Sequence, residues 1–173
     1  DRTSRGLGDV YKRQLKKDID ACHESLKHAP RFRIHTFIST SPLHMKHKLE
    51  MTNEQVLDAI KESVTYARNF TDDVEWSCED GTRTDLDFMC KSVELAINCG
   101  AKTINIPDTV GYSVPSEFKK IIETLINKVA REAKSSGGEY RIYPSRTQDP
   151  KKNPLDPGTK IKFMKQAYPE HAN

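Results

Sequence analysis

A strand-like segment followed by a loop and then a helix occurs three times between residues 31 and 129. The strands are predicted at "RFRIHTFI" (31–38), where apolar residues alternate, at "DVEWSC" (73–78) and at "KTINIP" (102–107). Strands that alternate with helices in this order pair in parallel, through right-handed crossovers. The predicted fold class is therefore α/β.

Capping residues mark the ends of the predicted helices. Thr52 and Gln55 form a capping box, Thr84 is predicted to cap the next helix, and Gly100 ends that helix. Pro115 suits the first position of the helix after the third strand. The predicted helices cover residues 15–29, 53–70, 85–99 and 115–129, and the last one is expected to continue to about residue 134.

Polar residues gather where the three strands end. No G-x-G-x-x-G turn follows any strand, so a dinucleotide site is not indicated. In a (β/α)8 barrel the reacting groups lie at the carboxyl ends of the strands. The pattern therefore favours a partial (β/α)8 TIM barrel of about three consecutive βα units and a leading helix. The polar residues are His35, Ser77, Glu79, Asn105, Asp108 and Thr109.

Three of the six histidines, His35, His44 and His47, lie close together and raise the question of a metal site. His35 lies within an apolar strand, where a hydrogen-bonded core histidine is the alternative to a substrate contact. His44 and His47 have no convincing Asp, Glu or Cys partner nearby, so both are predicted to be solvated in a loop. Glu79 and the adjacent Asp80 point to opposite faces of a strand, which makes them a poor acid–base pair.

The net charge of +3 is unevenly distributed. Residues 1–14 hold four basic and two acidic side chains, residues 130–173 hold nine and five, and residues 15–129 hold fifteen and eighteen. A nucleic-acid-binding surface would place the basic excess on the folded part, so no nucleic-acid partner is predicted.

No apolar run approaches the ~20 residues of a membrane span, and no apolar stretch follows the basic N-terminal residues as in a secretory signal. The four cysteines show no C-x-x-C spacing. These features predict reduced thiols in a cytoplasmic protein without membrane contact.

The segments "RIHTFISTSPLHMKHKLEMT", "DDVEWSCEDGTRTDLDF" and "INIPDTVGYSVPSEF" resemble the catalytic barrel of the bacterial 2-isopropylmalate synthase family. Homocitrate synthase, citramalate synthase and hydroxymethylglutaryl-CoA lyase belong to the same wider group. The resemblance covers residues 15–129, and Pro107 points to the isopropylmalate branch.

The resemblance implies condensation of acetyl-CoA with 3-methyl-2-oxobutanoate to 2-isopropylmalate and CoA in leucine biosynthesis. It assigns Glu79 as a catalytic residue, and His35, Ser77 and Thr109 as substrate-binding residues. It also implies a homodimer and a divalent metal, Mn²⁺ or Mg²⁺. The family's metal ligands, an aspartate, a His-x-His pair and an asparagine, match no position here, so no metal ligand is expected in this chain.

Three regions are expected along the chain: a non-native artefact at 1–14, a partial barrel at 15–129 and an unmatched, loosely ordered tail at 130–173. The chain alone is expected to be marginally stable and inactive, because an incomplete barrel leaves strand edges unpaired. Two alternatives are a fragment of a sister enzyme (homocitrate or citramalate synthase) and a non-catalytic half-barrel that serves as a binding module.

Overall fold

A computed structural model describes residues 16–135, 156–167 and 169. Three parallel strands form one sheet in the order β1-β2-β3, which confirms the α/β class. The strands are β1 (Ile34–Ser39), β2 (Val74–Glu79) and β3 (Thr103–Asn105). The helices are α1 (Lys16–Leu26), α2 (Pro42–His44), α3 (Asn53–Arg68), α4 (Leu86–Asn98), α5 (Pro115–Ser135) and α6 (Pro157–Ala167).

The register of the sheet divides its side chains between two faces. Phe37 pairs with Ser77, and Ser77 with Asn105, so the odd-numbered residues of all three strands share one face. β3 is shorter than the predicted 102–107, because it pairs with β2 only along Glu75–Ser77. β1 and β2 each end one residue later than predicted, and this brings Ser39 and Glu79 into the sheet.

The even-numbered face carries the core. Its side chains on β1 and β2 are at most 2% exposed, and α3 packs against both strands while α4 packs against β2. α3 contributes an apolar stripe with no exposed surface, as its helical spacing predicted. The buried strand residues are Ile34, Thr36, Ile38, Val74, Trp76 and Cys78, and the stripe is Val56, Ile60, Val64 and Ala67.

Most helix ends agree with the capping predictions. Thr52 and Gln55 form the predicted capping box, Gly100 follows α4 with a φ of 102°, and α5 begins at Pro115. The predicted cap of α4 is wrong, because Asp85 and not Thr84 accepts the hydrogen bond from the Phe88 N–H, at 3.0 Å. The Thr84 hydroxyl instead bonds to the Thr40 hydroxyl, at 2.7 Å, between two strand-end loops.

The segment after β1, predicted to be a loop, is largely helical. Ser41 caps α2, and a π-helical turn follows at Met45–Leu49. The turn ends at Glu50, whose φ of 54° lies in the left-handed region and whose N–H bonds to the Met45 carbonyl. π turns interrupt regular helix geometry and occur often at functional sites.

The chain divides into two compact units, residues 1–128 and residues 129–173. In the second unit the structure describes the end of α5 and the helix α6, where Asp156 accepts from the Thr159 N–H at 3.0 Å. The predicted loosely ordered tail did not include α6, because residues 157–167 show little apolar periodicity. Residues 136–155 of this tail lie outside the described residues.

The predicted artefact at residues 1–14 also lies outside the described residues. Among those that the structure describes, no helix is long and apolar enough to cross a membrane.

Candidate active site

Three side chains form a hydrogen-bonded row across the odd-numbered face of the sheet. The Ser77 hydroxyl lies 2.7 Å from His35 Nε2 and accepts a hydrogen bond from Asn105 Nδ2 at 3.0 Å. Ser77 is 4% exposed and the His35 side chain 34% exposed. The row therefore ties β1, β2 and β3 together and leaves part of the imidazole accessible.

Glu79 ends β2 within a cluster of polar contacts. Lys48 Nζ, from the π turn, lies 2.6 Å from Oε1 and 2.7 Å from Oε2 of Glu79. The Ser39 hydroxyl donates to Oε2. The side chain of Lys48 is 16% exposed and that of Glu79 is 15% exposed. The carboxylate is thus oriented on the same face as His35 and Ser77, and its Oε1 atom has acceptor capacity for one more donor.

Asp80, the next residue, is fully buried and adopts a left-handed backbone with φ 61° and ψ 36°. Its carboxylate accepts from Arg83 Nε at 2.8 Å and lies 2.7 Å from Arg83 Nη2. The Ser41 hydroxyl donates to Oδ2, and His44 Nδ1 is 3.7 Å from the same oxygen. The buried charge is therefore compensated by a two-pronged guanidinium and a hydroxyl.

The loop after β3 brings Asp108 and Thr109 to the same end of the sheet. The Asp80 N–H donates to Thr109 Oγ1 at 2.9 Å, and the Thr82 hydroxyl donates to Asp108 at 2.7 Å. Asp108 also accepts the N–H groups of Tyr112 and Ser113, at 3.1 and 3.2 Å. Partial burial acts to raise the pKa of Asp108, but these three hydrogen bonds outweigh it and lower the pKa below its usual value.

The histidines have separate environments. His47 is exposed on the π turn, in agreement with its predicted solvation. The prediction for His44 is wrong: its side chain is only 22% exposed, because α2 turns it toward the buried carboxylate of Asp80. His44 Nδ1 is buried and has no hydrogen-bond partner among the described residues.

Metal coordination is not supported by the residues that the structure describes, since they include no group of three or more His, Cys, Asp or Glu side chains that could hold an ion. The Asp80 carboxylate is already engaged by Arg83 and Ser41, and the Glu79 carboxylate by Lys48 and Ser39. A metal that serves this face would need ligands from other residues.

The four predicted site residues come together in two contacts. The side chains of His35 and Ser77 contact each other directly. Glu79 and Thr109 are linked indirectly, because Asp80 follows Glu79 in the chain and its N–H donates to the Thr109 hydroxyl. The sequence does not identify Lys48 as a site residue, and it indicates Asp80 only as a poor acid–base partner of Glu79. The "EDGTR" turn after β2 was a usable signal for Asp80, whereas nothing in the residue pattern marks Lys48, because a π turn brings it to the site.

Comparison with known proteins identifies the family to which this chain belongs. The HMGL-like family model matches residues 9–137, more than half of the chain, and the chain therefore belongs to the HMGL-like family. The α/β fold with three parallel strands in chain order agrees with part of the TIM barrel of that family. Synthases of this family are generally metal-dependent.

Three relatives that resemble this chain are named 2-isopropylmalate synthase. This chain is 62% identical over 115 residues to 2-isopropylmalate synthase of Bradyrhizobium sp. (strain ORS 278), and the match covers 64% of this chain and 22% of that protein. It is 62% identical over 117 residues to 2-isopropylmalate synthase of Shewanella woodyi, covering 68% and 22%. The Bradyrhizobium sp. (strain BTAi1) enzyme of the same name is 61% identical over 130 residues, covering 73% and 25%. The chain thus spans about a quarter of these relatives or less.

Proposed function

We propose that residues 15–129 form part of the catalytic barrel of an acetyl-CoA-dependent condensing enzyme, and that the odd-numbered sheet face binds a 2-oxo acid. The observation that carries this proposal is the row formed by His35, Ser77 and Asn105, which presents hydrogen-bonding groups from three neighbouring strands. Barrel enzymes bind their substrates at the carboxyl ends of their parallel strands. Asn105 ends β3 and Ser77 lies two residues before the end of β2, while His35 reaches Ser77 from the second residue of β1.

The 2-oxo acid is proposed to be 3-methyl-2-oxobutanoate, the product 2-isopropylmalate and the reaction an acyl transfer in leucine biosynthesis. The identity to proteins named 2-isopropylmalate synthase supports this choice. A bound Mn²⁺ or Mg²⁺ would polarise the oxo group. We further propose that the enzyme acts in the cytoplasm as a homodimer and binds no nucleic acid.

The protein groups have distinct roles in this proposal. The Thr109 hydroxyl donates to the substrate carboxylate, while His35 and Ser77 contact the oxo acid. Glu79, oriented by Lys48, is the carboxylate placed to accept a proton or hydrogen bond from the reacting molecules. His35, Ser77 and Glu79 occupy odd-numbered strand positions, and Thr109 bonds to the Asp80 N–H directly after β2, which supports these roles.

A chimera tests the proposal. Residues 15–129 would replace the matching segment of the 2-isopropylmalate synthase of Bradyrhizobium sp. (strain ORS 278), and CoA release would be measured with three 2-oxo acids. We expect release with 3-methyl-2-oxobutanoate, and a decrease of about 10- to 100-fold in Ser77→Ala, because a hydrogen bond to a charged substrate is lost. Thr65→Val, an exposed threonine on α3, is the matched control and should have no effect.

Two outcomes would contradict the assignment. Turnover of pyruvate or 2-oxoglutarate in place of 3-methyl-2-oxobutanoate would indicate a citramalate or homocitrate synthase. A chimera that folds and binds acetyl-CoA but releases no CoA would favour the non-catalytic half-barrel.

A further inference from the structure

We propose that Asp80 is a positioning residue for Thr109: it holds the Thr109 hydroxyl so that its proton is directed toward the substrate carboxylate. This inference rests on the proposed function, since the carboxylate belongs to the 2-oxo acid. Asp80 itself is fully buried and does not contact the substrate in this scheme.

The backbone at Asp80 adopts a conformation that an L-residue rarely takes. Its φ of 61° is one of two positive φ values found outside glycine in the described residues. Such a conformation costs about 1–3 kcal/mol and persists only when the surroundings hold it in place. The Asp80 N–H belongs to the peptide that follows Glu79, and the carbonyl of this peptide accepts from the Thr40 N–H at 3.1 Å, so the peptide is also held from the loop after β1.

Several contacts hold this turn. The Asp80 carboxylate accepts hydrogen bonds from the Arg83 guanidinium and from the Ser41 hydroxyl, which lies in the loop after β1. The Asp80 carbonyl accepts from the Arg83 N–H at 3.2 Å and from the Thr84 hydroxyl at 3.2 Å. Side chain and carbonyl are thus both anchored, and the direction of the N–H is set by groups from two loops.

The N–H of Asp80 determines what the Thr109 hydroxyl can do. A hydroxyl has one proton to donate and two lone pairs that accept. Thr109 Oγ1 already accepts from the Asp80 N–H at 2.9 Å. Thr109 is exposed, so its proton can be donated to an incoming acceptor, and a carboxylate is the strongest such acceptor on a 2-oxo acid.

Amide hydrogen exchange in the full 173-residue chain tests the contact without any substrate. In Thr109→Val the Asp80 N–H loses its acceptor, and we expect it to exchange about tenfold faster than in the unaltered chain. Thr65→Val should leave it unchanged. Equal exchange rates in the unaltered chain and Thr109→Val would overturn the inference, whether or not the chain has the proposed activity.

Kinetics of the chimera test the consequence. Asp80→Ala should raise KM for 3-methyl-2-oxobutanoate about tenfold with little change in kcat, because a hydrogen bond present in both ground and transition states is lost. Asp80→Asn, which tolerates the left-handed backbone and retains a side-chain acceptor, should recover most of the affinity. The double variant Asp80→Ala/Thr109→Val should bind no more weakly than Thr109→Val alone.

The result separates this inference from the proposed function. Additive effects on KM in the double variant would show that Asp80 acts independently of Thr109 and would overturn the positioning role. An inactive chimera would count against the proposed function, and with it the carboxylate role, while amide exchange would still decide whether Asp80 holds Thr109.

Discussion

The two faces of the same sheet differ in composition and in the kind of contact that they make. The even-numbered residues of β1 and β2 are apolar apart from Thr36 and are closed off from solvent by α3 and α4. The odd-numbered face carries His35, Ser77 and Glu79, each joined to another polar side chain. One face thus stabilises the fold through burial, and the other arranges hydrogen-bonding groups for a ligand.

This difference predicts separable effects of mutation. Changes on the helix-covered face should lower the free energy of unfolding by creating cavities. Changes on the polar face should act chiefly on ligand binding, except where an ion pair is broken. The effects on the free energy of unfolding can be measured on the full chain by equilibrium unfolding in urea, followed by far-UV circular dichroism.

The largest effect on stability is expected for Trp76→Ala. Trp76 has no exposed surface, and its truncation leaves a cavity beneath α3 and α4, which should cost about 3–5 kcal/mol in the free energy of unfolding. Tyr112→Ala, at a side chain that is 68% exposed, is the control and should change stability by less than about 0.5 kcal/mol. Similar losses in both variants would contradict the division between faces.

A smaller loss is expected for Lys48→Met on the polar face. Breaking a fully buried pair costs about 3–5 kcal/mol, and the roughly 15% exposure of Lys48 and Glu79 should reduce this to about 2–3 kcal/mol. The double variant Lys48→Met/Glu79→Gln should recover most of the loss, because no uncompensated charge remains. Lys16→Met, in an exposed pair with Glu62, should cost under about 0.5 kcal/mol.

Stability should also fall at alkaline pH because of Cys78 on the helix-covered face. Burial raises the pKa of this thiol from 9.0 to about 12. Between these values the folded chain keeps a proton that the unfolded chain has released, so stability is lost as pH rises above about 9. The free energy of unfolding would be measured at pH 8 and at pH 10.5 for the unaltered chain and for Cys78→Ala. Between these two pH values the unaltered chain should lose about 2 kcal/mol more than the variant. A pH dependence that is identical in both proteins would contradict this assignment.

Apart from the control variants, the smallest change in stability is expected for Ser77→Ala. It removes the hydroxyl that joins His35 to Asn105 and should cost about 0.5–1.5 kcal/mol, although the same change is expected to impair the chimera strongly. A loss above 3 kcal/mol would indicate that the polar row, and not only the opposite face, holds the sheet together.

Periodicity in the sequence predicted the parallel α/β fold, because alternation and helical spacing are local properties. The apolar residues of β1 and α3 follow these periods, and their burial agrees with them. The capping box at Thr52 was predictable for the same reason, since both of its partners lie within one turn.

The contacts of the candidate site were less predictable because they join residues distant in the chain. Lys48 meets Glu79 across 31 residues, and Asp80 meets Thr109 across 29. Asp85 displaced Thr84 as the cap of α4 because Thr84 is engaged by Thr40 from another loop. His44 was misjudged since its burial depends on α2, a helix too short to leave a periodic pattern.

The residue-by-residue register of β1, β2 and β3 restricts how such a segment can diversify in evolution. Deleting one residue inside β2 would shift every later side chain of that strand to the opposite face, so that Ser77 and Trp76 would exchange surroundings. Insertions and deletions should therefore be eliminated within the strands and survive in the connections between elements. New substrate preferences would then arise by substitution at odd-numbered strand positions, or by changes in loop length, without disturbing the interior.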